Sequence, residues 1–336
     1  MSDFLKKVVV YFSLLAFLIG GYILMIYLRP DLVDDFYYRF TTPPAQSMIL
    51  GTSRAAQGIR PDVLNENLCN DNNRILNHAF AVGPSNYGPN YLKEVKKKID
   101  STVRTGIYIL AVDPWSISTD TSNRRDDPEE FFEYKRKLFV GNLKSSTRNP
   151  NFEYLMNYWT NKFSPFIRVF KTSIGYDQFY SLHPNGWLEV RVPMDSASIQ
   201  ERISMQKKDY SAKDQIISMK RVFYLEETVR FLKEHGDVYL VRLPVSREMA
   251  EIEKVNFPEF DSIILDISRE TGIAYFNFIE ESGKYRTTDI HHLYSEDAGL
   301  FTSRIIDSIK KNKLKFANTT GNDGSSRAEA SGMNIK

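Results

Sequence analysis

Cysteine is almost missing from this chain: Cys69 is the only one. A single thiol closes no internal disulfide and builds no C-x-x-C pair, so disulfide-stapled folds, thiolate clusters and haem attachment drop out. Histidine is scarce, with 5 in 336 residues. Neither sign of charge dominates, since 44 Lys and Arg stand against 42 Asp and Glu for a net charge of +2. That balance gives no reason to expect a nucleic-acid partner. No internal repeat is visible. Apolar residues make up 42% and charged residues 26%, which excludes wholesale disorder, a collagen-like chain and a polytopic membrane protein. The length allows one large domain or two small ones.

One long hydrophobic run is present. Residues 8–28, VVVYFSLLAFLIGGYILMIYL, contain no Asp, Glu, Lys or Arg. At helical rise they extend roughly 30 Å, the thickness of a bilayer's hydrocarbon. The apolar character runs all round the helix, which disfavours a soluble core helix. A cleaved signal peptide has a shorter apolar region and a small-residue cleavage site; here Arg29-Pro30-Asp31 follows. The run is therefore expected to be an uncleaved single-pass anchor. Lys6 and Lys7 precede it, while Arg29 and Arg39 follow among Asp31, Asp34 and Asp35. The slight positive bias favours a cytoplasmic tail, 1–7, and an outward-facing domain.

Residues 29–46, ending in Thr41-Thr42-Pro43-Pro44, read as a stalk. A folded domain is expected over 47–317, with strands at 47–50, 75–80, 107–112, 238–243 and 273–279. A helix over 90–99 carries a basic face of Lys93, Lys96, Lys97 and Lys98. Ile216, Met219, Val222, Phe223, Val229 and Leu232 share one helical face, and 252–271 is helical with a break near Pro258. Ala298, Phe301, Ile305 and Ile309 form the stripe of a last helix. Strands alternating with helices predict an α/β fold with a parallel sheet covered on both faces. Residues 119–210 interrupt the rhythm. They are aromatic-rich (Phe131, Phe132, Tyr154, Tyr158, Trp159, Phe163, Phe166, Phe170, Trp187) and mostly helical in pattern. They read as an insertion capping the sheet's functional edge, with packing favoured over sugar stacking as the role of the aromatics. Residues 318–336 are polar and read as a disordered tail.

Three places carry chemistry. Met48-Ile49-Leu50-Gly51-Thr52-Ser53-Arg54 sets a serine just beyond the first strand. Ligands of such sheets bind beyond the carboxyl ends of the strands, and the backbone N–H and positive end of a following helix would face developing negative charge. An N-cap serine explains the same position. Asp289-Ile290-His291-His292-Leu293 follows the last strand. A serine nucleophile needs a base, and the base an orienting carboxylate. Asp289 and His292, three positions apart, can pair and leave one imidazole nitrogen for the serine; His291 is the alternative base. Gly83, in Ala81-Val82-Gly83-Pro84-Ser85-Asn86, can offer a backbone oxyanion donor and Asn86 an amide one. An ordinary loop glycine is the equal alternative.

A serine after the first strand, a glycine after the second and Asp-x-x-His after the last resembles the SGNH/GDSL hydrolase-like superfamily, over about residues 47–312 with the insertion unaligned. The resemblance implies a three-layer α/β/α sandwich of flavodoxin-like type. It would make Ser53 the nucleophile, His292 the base, Asp289 the orienter and Gly83 an oxyanion donor, with no metal or organic cofactor. The anchored architecture is similar to extracytoplasmic acyl-transfer proteins of teichoic-acid D-alanylation and alginate acetylation. That implies a glycan or acylated substrate and, as a partner, a polytopic membrane acyltransferase. Two motifs depart from the family. Gly-Thr-Ser replaces Gly-Asp-Ser, and Val112-Asp113-Pro114-Trp115 replaces the third block, Gly-x-Asn-Asp, with its oxyanion asparagine. A serine esterase or O-acyltransferase is the first expectation, and a non-catalytic binding or scaffold protein the second.

Overall fold

The computed structural model describes residues 2–68, 74–83, 86–123, 125–126, 139–159, 163–173 and 179–329. Cys69, Phe131 and Phe132 lie outside them, as does the 330–336 part of the expected tail. Five parallel strands form the main sheet: β1 (Ser47–Leu50), β2 (Ile75–Asn77), β3 (Gly106–Ala111), β8 (Gly236–Arg242) and β9 (Ala274–Asn277). Their order is β2-β1-β3-β8-β9. β1 and β3 were legible as apolar runs, because strands buried on both faces read as continuous hydrophobic stretches; β9 is only half-buried. Along β1, Met48 and Leu50 enter one core and Ile49 the other. In β3, Tyr108 and Leu110 divide in the same way from Ile107, Ile109 and Ala111.

Helices cover both cores. One side takes α4 (Pro89–Lys98), α8 (Met219–Lys233) and α10 (Phe260–Thr271) through Tyr91, Val95, Leu225, Val229 and Ile264. The other takes α2 (Ser53–Gly58), α3 (Pro61–Leu68) and α11 (Ser295–Glu329) through Ala56, Leu64, Phe301 and Ile305. The expected stripe of α11, Ala298, Phe301, Ile305 and Ile309, is fully buried. The expected break near Pro258 separates α9 (Arg247–Asn256) from α10, since proline cannot donate within a helix. Chain order reverses beside β1, whose neighbours are β2 and β3, so the crevice beyond its carboxyl end is a topological switch point.

Several expectations need correction. Residues 29–46 are not a free stalk. They form two short 3-10 turns, Pro30–Leu32 and Tyr37–Phe40, with Val33, Tyr37 and Phe40 fully buried. Phe40 stacks on Phe80 and Tyr154. The buried Arg39 guanidinium donates to the carbonyls of Asn77 and Gly186, at 3.0 and 2.6 Å. These aromatics have no helical or strand period, so their burial was not readable locally. The basic face of α4 is only partly a solvent face. Lys98 is buried and donates from Nζ to the carbonyls of Thr42 and Ser146 at 2.6 and 2.7 Å.

Ile216 belongs to β7 (Gln215–Ile217), paired antiparallel with β4 (Ser118–Asp120), rather than to the helix after it. The Ser218 side chain accepts from the Arg221 N–H and starts α8 there, leaving Met219 and Phe223 exposed. Among the described residues the regular elements of the insertion are mostly helical, as expected, with a strand ribbon added. The insertion holds α5 (Phe152–Asn157), α6 (Ser164–Ser173), α7 (Ser196–Ser211) and an antiparallel ribbon of β5 (Phe179–Leu182) with β6 (Leu188–Arg191). Tyr154 and Trp159 are packed in a core and Trp187 is buried, as the packing reading expected, but Phe163, Phe166 and Phe170 are exposed. Helix α11 runs on to Glu329, past the expected domain end at 317.

Helix α1 (Ser2–Leu28) contains the apolar run and is long and apolar enough to cross a membrane. Most of it is exposed, but Ile26 is buried against the domain.

Candidate active site

The turn after β1 sets Ser53. Gly51 has φ +137°, and a Cβ there would stand 2.8 Å from the Ala111 Cβ on β3, so only glycine lets the chain turn this close to its neighbour. Thr52 is extended and occupies the N-cap of α2. Its hydroxyl does not cap the helix; it donates to Asp113 Oδ2 at 2.9 Å. Ser53 is therefore the first helical residue and not the cap. Its hydroxyl meets His292 Nε2 at 2.8 Å. The first N–H groups of a helix have no intrahelical acceptor, and the Ser53 N–H is one of them.

The second half of the site is a loop closed on itself. Thr287 bridges Leu293, and the Thr288 N–H donates to the His292 carbonyl at 2.8 Å. Ile290, fully buried, anchors the loop in the core. Asp289 Oδ1 accepts the backbone N–H groups of His291 and His292, each at 2.8 Å. This short-range carboxylate turn aims the remaining oxygen, Oδ2, at His292 Nδ1, 2.7 Å away. With a carboxylate on Nδ1, the network assigns the imidazole proton to Nδ1 and leaves Nε2 to accept from Ser53. Helix α7 of the insertion supports the loop. Arg202 Nε donates to the Thr288 carbonyl at 2.6 Å, and Gln206 Nε2 donates to Asp289 Oδ2 at 3.1 Å.

Burial works to raise the pKa of Asp289, but the His292 imidazole and the hydrogen bonds it accepts outweigh this and hold the carboxyl well below the usual range. Ser53 Oγ is held by His292, not by His291. The His291 ring packs edge-on to Tyr210, 5.0 Å between centroids. Burial, then the neighbouring His292, push its pKa well down. Of the two candidate bases, His292 is the one placed between carboxylate and serine.

Gly83 and Asn86 are brought to each other. The Gly83 N–H donates to Asn86 Oδ1 at 3.3 Å, and Gly83 has φ +102°, a conformation that favours glycine. Their contact is internal to the loop, which is also what an ordinary loop glycine would give.

Three supporting groups had no sequence signal for their role. Asp113, just beyond β3, takes the Thr52 hydroxyl on Oδ2 and the Ser116 N–H on Oδ1. Burial raises its pKa. Next to the serine, the buried Arg54 pairs with Glu253 at 2.7 Å. Glu253 also accepts from Trp115 Nε1 at 3.1 Å and Arg242 Nη2 at 2.9 Å. Burial alone would lower the Arg54 pKa; Glu253 and Asp113 reverse that and keep it charged. Gln206 is the third group. The pairings of Asp113 with Thr52, Arg54 with Glu253 and Gln206 with Asp289 are long-range, so no local pattern announces them.

Asp289, His291 and His292 offer ligand atoms within 4.8 Å of one another. The Asp289 oxygens and both His292 nitrogens already hold the hydrogen bonds given above, so the cluster is satisfied without a cation except at the buried His291 Nδ1.

The chain matches no protein-family model and no curated protein.

Proposed function

We propose that this chain is a membrane-anchored serine esterase or O-acyltransferase of SGNH-hydrolase-like type, with its sheet and helices arranged as a three-layer α/β/α sandwich. The observation that carries the reading is the unbroken hydrogen-bonded series Asp289–His292–Ser53, with links of 2.7 and 2.8 Å. Hydrogen-bonded nucleophile, base and orienter are what acyl transfer requires. Ser53 Oγ attacks the ester carbonyl carbon while its proton passes to His292 Nε2. The carbonyl π pair moves to oxygen and the imidazolium is stabilised by Asp289. Collapse expels the alcohol, which takes the proton from Nε2 and leaves acyl-Ser53. The oxygen of water or of a glycan hydroxyl then bonds to the acyl carbon while its proton passes to His292 Nε2; collapse breaks the bond to Ser53 Oγ, which takes that proton back, and frees the acid or the acylated glycan. The Ser53 N–H serves as one oxyanion donor, Gly83 is the donor the family resemblance would add, and the Asn86 amide NH2 is a further candidate donor. A cell-surface or exported glycan suits the reading because an anchored, outward-facing domain meets both it and membrane-borne acyl donors.

A second reading, a non-catalytic binding or scaffold protein for a polysaccharide or a membrane acyltransferase, is favoured by one observation. The third-block position holds Asp113, whose carboxylate is taken up by Thr52 and Ser116. A fluorophosphonate probe separates the two. The enzyme reading expects one labelled peptide containing Ser53; an unlabelled, folded protein supports the scaffold.

The orientation is tested separately. An enzyme reporter that works only outside the cytoplasm, fused after Phe316, should be active. A large domain that resists protease in spheroplasts and is cut only after lysis would reverse the topology.

A further inference from the structure

We infer that α6 lies in the membrane interface, its outer face sunk among lipid headgroups beside the anchor. The inference rests on α1 as the anchor. Phe163, Phe166, Ile167 and Phe170 recur at the helical spacing of one face, and all four are exposed, by 72, 56, 46 and 63%. Clustered exposed apolar side chains of this size mark an interaction surface. The opposite face is fastened to the chain just after the anchor. Ser164 Oγ donates to the Val33 carbonyl, and Arg168 donates to Asp35 Oδ1 at 2.7 Å and to the Asp31 carbonyl at 3.2 Å. Polar contacts therefore point inward and the phenylalanines outward, and α6 cannot turn over without breaking them.

Two observations choose lipid as the occupant. First, the patch is continuous with the surface of α1. Phe166 stacks on Tyr22 of α1 with 5.6 Å between ring centroids, and Trp159 lies on the same tyrosine at 6.2 Å. The neighbouring α1 residues Leu18, Ile19 and Leu24 are exposed as well. Second, the depth fits. Tyr22 lies about 9 Å along the helix from Leu28, at 1.5 Å per residue. Interfacial amphipathic helices bury their apolar face about 5–10 Å into the headgroup and acyl boundary. With α1 spanning the bilayer, the stacked Phe166 sits within that layer. The membrane-facing side of the domain is then the β2 edge, where Arg39 ties the segment after the anchor to Asn77.

The test uses the full-length chain in phosphatidylcholine–phosphatidylglycerol vesicles. Cys69→Ser removes the one native thiol. Single nitroxide labels are then placed at Phe163→Cys, Phe170→Cys, Leu15→Cys inside the anchor, and Glu270→Cys on α10, which packs by β9 at the opposite sheet edge. Collision rates with oxygen, which concentrates in lipid, and with a nickel chelate, which stays in water, are measured by electron paramagnetic resonance. Labels at 163 and 170 should collide with nickel several-fold less than the label at 270, while oxygen still reaches them. Nickel collisions at 163 and 170 equal to those at 270, with 15 still in lipid, would place α6 in water and overturn the inference while leaving the anchor intact. Exclusion of both reagents would mean a protein partner or a second copy covers the face, which overturns it too. Nickel access at 15 would show that the anchor reading itself has failed, and this inference with it.

Discussion

Replacing Ser53 by alanine will lower hydrolysis of p-nitrophenyl acetate by roughly a thousandfold or more and abolish fluorophosphonate labelling. Losing a triad nucleophile commonly leaves only the weak turnover that substrate binding and oxyanion contacts supply. The fold should hardly notice. Thr52, not Ser53, is the N-cap of α2, so no capping bond is lost. What disappears is the hydrogen bond to His292, a net contribution of about 1 kcal/mol. Melting curves of the two proteins should therefore nearly superimpose while turnover separates. A stable Ser53→Ala variant with undiminished turnover would end the serine-enzyme reading and leave the scaffold.

Asp289→Asn should be as damaging for a different reason. The amide oxygen of an asparagine can still accept the backbone N–H groups of His291 and His292, so the loop can keep its shape. Its NH2 would then face His292 Nδ1, which must accept rather than donate. The imidazole proton moves to Nε2, and that nitrogen can no longer take the proton of Ser53. A wrong tautomer of this kind costs about four orders of magnitude in turnover in a serine protease. An Asp289→Asn protein within about tenfold of the native rate would show that the carboxylate does not set the tautomer here.

The same variant carries a stability signature. The folded-state pKa of Asp289 is depressed, so its stabilising contribution is fully present above the ordinary aspartate value near 3.9 and is lost as pH falls through the lower folded value. The melting-temperature gap between native and Asn proteins should be widest above about pH 4 and shrink in stronger acid. A gap that widened on acidification would contradict the depressed pKa.

Whatever follows a local period was legible in the sequence. The apolar runs of β1 and β3 are buried on both faces and show as unbroken hydrophobic stretches. The stripe of α11 repeats at helical spacing, and the uncharged run in α1 is long enough by itself. Asp289 and His292 were legible as a pair because a carboxylate three residues from an imidazole can close a turn within its own loop. The Ala111 side chain that makes glycine necessary at position 51 comes from another strand and was not legible.

What the tertiary structure alone decided are pairings between segments remote in sequence. Ser53 and His292 are 239 positions apart, and only the parallel sheet brings the turn after β1 to the loop after β9. The choice of His292 over His291 depended on which ring the buried Ile290 and the Asp289 turn direct toward Ser53. Residues 29–46 look like a stalk because their buried groups, Val33, Tyr37, Arg39 and Phe40, follow no period. They are buried by Phe80, Tyr154 and the Gly186 carbonyl, which arrive from three other parts of the chain. Likewise Asp113 could be seen at the end of a buried apolar run, but not to hold Thr52, 61 positions away. A side chain's neighbours along the chain fix its period and its turns; its partners across the fold are fixed only when the sheet closes and excludes water between them.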